Sequence, residues 1–236
     1  IVGGVAVTID ETGQNTPADT AEINSLQTAV TNAGNGASLT YTKVSDTSQN
    51  LRANTGDLEG KTVTVSDSSS VSQYNTLISA VTANAANGTV AGAVADTQAA
   101  LATTENITLT NATSVTAVIS NANDLVAVQL DTEVTAIEIG TNSVANVLLD
   151  IEDLNNGNNA NRTISNTGGG GSYKIKDTAT ILAANDSFLE GQTVIINDSS
   201  TAATTSELNT IQAGIEANGA QGLSLIHISE PTRPRL

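Results

Sequence analysis

Six aspartates recur at the ends of short β-branched runs: Asp46, Asp67, Asp96, Asp131, Asp177 and Asp198. Each is followed by Thr or Ser, as in Asp46-Thr47, Asp67-Ser68 and Asp177-Thr178. Stacked along one edge of a repeating structure, such carboxylates can hold Ca²⁺, a hard cation that takes several oxygen ligands. The competing chemistry needs no ion. Asp, Ser and Thr oxygens accept from free backbone N–H groups at helix starts and in turns. Capping accounts for the Asp-Thr and Asp-Ser pairs directly, and one or two acids per layer rarely complete a cation site. Capping or turn closure is therefore the preferred reading of the six acids, with metal ligation as the alternative.

Other chemistry has little to work with. Cysteine is absent, and the single histidine, His227, lies in an atypical tail. The usual general base and thiol nucleophile are thus missing. Glu152 and Asp153 form a carboxylate pair of the kind a glycosidase uses, but adjacent acids on a helix or loop surface are more often solvated charge. No P-loop, GxSxG or HExxH motif occurs. The chain is expected not to be an enzyme and to need no cofactor other than Ca²⁺, should the acids bind it.

Charge narrows the partners. The 236 residues carry 24 acidic and 8 basic side chains, a net charge of −16. No basic patch is present to neutralise phosphates, so neither nucleic acid nor an anionic membrane is an expected partner. No window reads as a transmembrane helix. Hydrophobic residues make up 39% of the chain and aromatics only 2%, so a core must be built from Val, Ile, Leu and Ala. That suits thin repeated layers better than one thick globule. The apolar residues are regularly placed, which sets the chain apart from acidic disordered sequences.

Repeats organise the chain. KVSDTSQNLRANTGDLEGKTVTVSDSS at 43–69 aligns without a gap with KIKDTATILAANDSFLEGQTVIINDSS at 174–200. A second segment recurs as AEINSLQTAV (21–30), SQYNTLISAV (72–81) and SELNTIQAGI (206–215). Short runs at 5–9, 62–66, 107–110 and 193–197 read as strands. The second segment has helical spacing: Ile23, Leu26 and Val30 fall at i, i+3 and i+7, as do Tyr74, Leu77 and Val81, and Leu208, Ile211 and Ile215. Asp19-x-x-Glu22, Ser70-x-x-Gln73 and Thr204-x-x-Glu207 occupy equivalent positions, and each fits a capping box. Asn24, Asn75 and Asn209 align inside these helices. Asn is a poor interior helix residue, so each is expected to bond a neighbouring layer's backbone. Six N-x-[ST] sequons, at Asn87, Asn106, Asn111, Asn161, Asn185 and Asn197, are the number a chain this rich in Asn, Ser and Thr acquires largely by chance.

Strands and helices joined by short connections predict parallel strands with right-handed crossovers. The expected fold is an α/β repeat, a solenoid of short parallel strands alternating with short helices. The alternative is all-β, either a β-solenoid or tandem β-sandwich modules, which leaves the capped helices without a place. Residues 1–38 read as the end of a truncated repeat, 39–154 and 173–222 as strand–helix repeats, and 155–172 as an Asn/Gly-rich linker or loop. The opening IVGGVAV already lies inside the pattern, as expected of a fragment or processed product. LSLIHISEPTR at 223–233 resembles the in-frame translation of a sequencing-library adapter, and 223–236 is set aside as a non-native tail.

The VSDT at 44–47 and TVTVSD at 62–67, with the strand-DT-helix and strand-DSS-helix pattern they belong to, resemble repeats of very large bacterial surface and secreted proteins. Those include adhesins, S-layer-like proteins and proteins with RTX-type calcium-binding regions. The RTX calcium nonapeptide itself is absent: Gly168 to Gly171 is a plain glycine run without the following Asp. The resemblance implies an extracellular or cell-surface location, attachment to the cell envelope, and a mechanical or adhesive role. The expected partners are adjoining repeats of a parent chain and a polysaccharide or other cell-surface ligand.

Overall fold

Alternation of apolar and hydroxyl-bearing residues makes the strands. In the run from Thr62 to Val65, β-branched residues favour extended backbone, and a period of two puts both valines on one face. Val63 and Val65 are buried, whereas Thr62 and Thr64 are exposed. The structure is a computed structural model and describes residues 4–10, 17–34, 36–102, 109–120, 122–128, 132–139, 147–149, 151–155, 162–165, 173–197, 202–219 and 223–226. The fold is mixed α/β with parallel strands, and no sheet closes into a barrel among the described residues. The chain divides into two compact units, residues 1–116 and 117–236.

In the first unit the order is β1 (Ala6–Thr8), α1 (Thr20–Ala33), β2 (Ser38–Thr40), β3 (Lys43–Asp46), α2 (Ser48–Ala53), β4 (Thr62–Ser69), α3 (Val71–Val81), β5 (Thr89–Thr97) and α4 (Gln98–Ala102). Strand β6 (Ala112–Ile119) starts there. Strands β1 and β2 pair in parallel from Ala6↔Ser38 to Thr8↔Thr40. Strands β3 and β4 pair from Lys43↔Thr62 to Asp46↔Val65, and β4 pairs with β5 from Thr62↔Thr89. The register brings Val44, Val63 and Val90 into one buried column. Helices α2 and α3 pack on β4, and α3 also covers β5 with Tyr74, Leu77 and Val81, the three residues its spacing predicts. Between Thr64 and Ser68 the β4–β5 register shifts in a bulge, which lifts Asp67 out of the ladder.

In the second unit come α5 (Ala122–Val128), β7 (Ala136–Ile139), β8 (Val147–Leu149), α6 (Ile151–Asn155), β9 (Thr163–Ser165), β10 (Tyr173–Asp177), α7 (Ala179–Ala184), β11 (Thr193–Ile196), α8 (Thr205–Ile215) and β12 (Leu223–Ile226). Strands β8, β10, β11 and β12 form one parallel sheet in that spatial order, and β7 pairs in parallel with β9. Ile175 and Val194 are in register and fully buried.

The two aligned repeats share conformation as well as sequence. Both place a 3-10 turn after the first helix, at Thr55–Asp57 and Asp186–Phe188, and both then bury a leucine, Leu58 or Leu189. The Gly of each LEG follows at φ +69° (Gly60) or +67° (Gly191), a left-handed conformation that glycine adopts without steric cost. Its N–H donates to the end of the next helix, Gly60 to Val81 O and Gly191 to Ile215 O, both at 2.9 Å.

Three expectations change. Residues 107–110 were expected as a strand, but Leu109–Asn111 is a 3-10 turn and β6 begins at Ala112. The turn buries the single apolar Leu109, while Val115, Ala117 and Ile119 carry the period-two alternation of the strand. Within 155–172, expected as a linker or loop, Thr163–Ser165 forms β9 against β7; the β-branched pair Thr163 and Ile164 suffices for so short a pairing. In the adapter-like stretch, Leu223–Ile226 forms β12 against β11, since an apolar LSLI run suits a parallel edge whatever its origin. The helices leave the all-β alternatives without support, whereas the strand–helix alternation is present.

Two substitutions in the first unit should move stability in opposite directions. Ser69 is 1% exposed and its hydroxyl has no hydrogen-bond partner. Ser69→Ala removes that uncompensated polar group and should raise unfolding free energy by about 1 kcal/mol in urea titrations. A Cβ at Gly88 would lie 2.5 Å from Val81 O and 2.8 Å from Lys61 O, so Gly88→Ala should lower it by about 2 kcal/mol or more.

Candidate functional site

Helix starts set the geometry around the strand-end acids. The backbone N–H groups of a helix's first turn have no acceptor within the helix. At α1, α3 and α8 the predicted boxes are present: Asp19 with Glu22, Ser70 with Gln73 and Thr204 with Glu207 each exchange a side-chain-to-backbone pair. At α2 and α7 the cap is the Thr of the Asp-Thr pair. Thr47 Oγ1 accepts from Asn50 N–H and Thr178 Oγ1 from Ile181 N–H, with both caps in extended backbone. Thr97 Oγ1 likewise accepts from Ala100 N–H at 3.3 Å.

The neighbouring aspartate is thereby free to do something else. In Asp46, Asp96 and Asp177 one carboxylate oxygen accepts from the N–H of the following Thr, at 2.7, 2.8 and 2.8 Å. The other oxygen reaches back to the helix of the preceding strand–helix segment. Asp46 Oδ2 accepts from Thr20 N–H (3.2 Å) and Thr20 Oγ1–H (2.6 Å), at the first residue of α1. Asp96 Oδ2 accepts from Val71 N–H (3.0 Å), the first residue of α3. Asp177 Oδ2 accepts from Ile151 N–H (3.3 Å), the first residue of α6. Asp67, raised by its bulge, uses Oδ1 for Ser48 N–H (2.6 Å), the first residue of α2. All four described acids thus make the same long-range bond, to the first helical N–H one segment back. The sequence suggested caps for the helix that follows, but there Thr47, Thr97 or Thr178 provides the cap, or Ser70 after Asp67, and the Asp serves the helix before it. Asp131 and Asp198 lie outside the described residues.

Electrostatics favour the ionised acid. Burial pushes Asp46 up, but the Thr20 hydroxyl, the Asn50 amide and the N–H groups of Thr47 and Thr20 together outweigh it and hold the carboxyl below the ordinary Asp value. The positive end of a helix adds to the preference for an anion there. Glu207 is also held low, first by Thr204 N–H, then by the hydroxyls of Thr180 and Thr204. Tyr41, buried and 2.8 Å from the Asp57 carbonyl to which it donates, is pushed up to about 12, by burial first and the Asp57 carboxylate second. Lys61 Nζ lies 4.5 Å from the centre of its ring.

Side-chain ties that single residues did not advertise join the same segments. Asn24 donates to Asn54 Oδ1 (3.0 Å) and Gln27 to Asp57 Oδ1 (2.9 Å), so Asn24 meets a side chain rather than the expected backbone. Asn75 Oδ1 has no partner and Asn209 is exposed. Asn84 and Asn218, both left-handed at φ 51° and 52°, donate to Glu59 and Glu190, the Glu of each LEG, at 3.1 and 3.2 Å. Their signal was the Asn shared three residues after two of the three aligned segments, 72–81 and 206–215. Arg162 clamps the second unit, donating to Val134 O (2.9 Å) and Val128 O (2.6 Å). Among the sequons, Asn185 commits its amide to Ile181 O, Asn87, Asn111 and Asn197 are exposed, and Asn106 and Asn161 lie outside the described residues.

Glu152, on α6, is exposed. Among the described residues no group of three or more His, Cys, Asp or Glu is arranged to hold a metal ion, and no helix is long and apolar enough to cross a membrane. Asp96 borders a shallow hollow of about 470 Å³ beside α3, lined also by Ser72, Asn75 and Thr76. No protein-family model matches the chain, and no curated protein or solved structure matches it significantly.

Asp46→Ala should cost about 2 kcal/mol, because it leaves the Thr20 and Thr47 donors without their acceptor, and Asp46→Asn should cost less. The folded-state pKa of Asp46 lies below its ordinary value of 3.8. The unfolded chain therefore binds the proton first on acidification. The stability Asp46 contributes is complete above the unfolded pKa and is lost as pH falls through the folded one. Urea titrations from pH 6 downward should show the wild-type advantage over Asp46→Ala shrinking below about pH 4.

Proposed function

We propose that this chain is a structural or adhesive repeat module of an extracellular or cell-surface protein, a non-catalytic spacer built as an α/β solenoid. The observation that carries the reading is the use made of the strand-end acids. The four described carboxylates accept from backbone N–H groups of an adjacent segment, so the residues best suited to chemistry act as fasteners between successive segments. The repeated strand–cap–helix pattern, the parallel register and the column of buried valines support stacking of like segments. An acidic, hydroxyl-rich surface keeps such a module soluble and apart from its copies. The extracellular placement, and a polysaccharide or other cell-surface ligand as partner, rest on the resemblance to adhesin and S-layer-like repeats.

Two measurements on the protein test this. Small-angle scattering should give a radius of gyration well above the roughly 17–18 Å of a compact chain this long, and a value at that figure would remove the spacer reading. A far-UV circular dichroism melt should give the same midpoint in EDTA and in millimolar Ca²⁺. A large upward shift with Ca²⁺ would instead make the strand-end acids ligands of an ion-stiffened module.

A further inference from the structure

We infer that the segments are completed in one direction, each helix being closed at its N-terminus by the strand end of the segment that follows it. The acceptor always lies later in the chain than the helix it serves: Asp46 for Thr20, Asp67 for Ser48, Asp96 for Val71 and Asp177 for Ile151. The residue served is each time the first of its helix. No described strand-end Asp accepts from the first N–H of a later helix; within its own segment Asp46 Oδ1 also accepts from the Asn50 side-chain amide at 2.9 Å. The segments of α1, α2 and α3 provide their own Asp, Thr or Ser for a second capping bond, but take the first from the segment that follows. The lateral side-chain bonds do not share this polarity: Asn24 donates forward to Asn54, whereas Asn84 donates back to Glu59.

The consequence is an asymmetric response to local opening. When a strand end opens, the helix before it loses an acceptor, while its own helix keeps its Thr or Ser cap. Opening therefore spreads toward the N-terminus more readily than toward the C-terminus. The inference rests on hydrogen-bond geometry within each unit and stands apart from the adhesive role.

Amide hydrogen exchange on the folded chain tests it. A first helical N–H ordinarily exchanges fast, having no acceptor in its helix. Those of Thr20, Ser48, Val71 and Ile151 should instead be protected. In Asp67→Ala, the Ser48 amide and the α2 amides of Leu51 and Ala53 should exchange about fivefold faster or more, with Tyr74 and Leu77 of α3 unchanged. Loss of protection in α3 with α2 spared, or equal loss in both, would overturn the inference. So would unprotected first amides in the unmodified chain, a measurement that needs no variant to fold. Asp67→Asn, which keeps an uncharged acceptor, should restore most of the Ser48 protection.

Discussion

A helix that begins beside the end of a parallel strand leaves N–H groups facing away from any backbone acceptor, and this chain meets that constraint with carboxylates borrowed from the next strand. A charged acceptor strengthens each bond relative to a neutral one, and the helix dipole favours an anion at that place. The Thr beside each of Asp46, Asp96 and Asp177 caps the following helix at another N–H of its first turn. Two adjacent side chains therefore serve two helices, and the strand end becomes the point at which successive segments are fixed.

The core follows from this regularity. With aromatics at 2% of the chain, bulk comes from aliphatic columns. Val44, Val63 and Val90 form one buried column across β3, β4 and β5, and Leu51, Leu77 and Val81 are buried on the helices that pack over β4 and β5. Tyr41 and Tyr74 are the exceptions in size, and their hydroxyls donate to Asp57 O and Val90 O, both at 2.8 Å, so that their burial leaves no polar atom wanting. Gly92 occupies a place in β5 where a Cβ would come within 2.7 Å of Val65 Cβ, which shows how closely neighbouring strands' side chains interlock.

Much of this was written in the sequence because it is local. The capping boxes at Asp19, Ser70 and Thr204, and the i, i+3, i+7 stripe of α3, follow from spacing within one turn or two. Strands β4 and β11 follow from alternation. The target of each Asp was not legible, because Ser48 lies 19 residues from Asp67 and Thr20 lies 26 from Asp46, and a carboxylate carries no mark of which distant N–H it will meet. A helix start close by is the simpler inference, and Thr47 and Thr178 had taken that role. Short β9 and the turn at Leu109 were hidden for a related reason: three residues have too little periodicity to separate strand from loop. Four of the six acids, Asp46, Asp67, Asp96 and Asp177, make one kind of bond, and what that bond is depended on the fold.

The Asp-Thr pair also bears on how such a chain changes over generations. A duplicated stretch running from one strand to the end of its helix brings its own Thr cap, its own first N–H to be bound, and a strand-end carboxylate for the helix upstream. Insertion or loss of a whole segment therefore leaves every junction with a matched donor and acceptor, with no compensating change elsewhere. Unequal recombination between such copies would change the number of segments without stranding a donor or an acceptor at junctions of this kind.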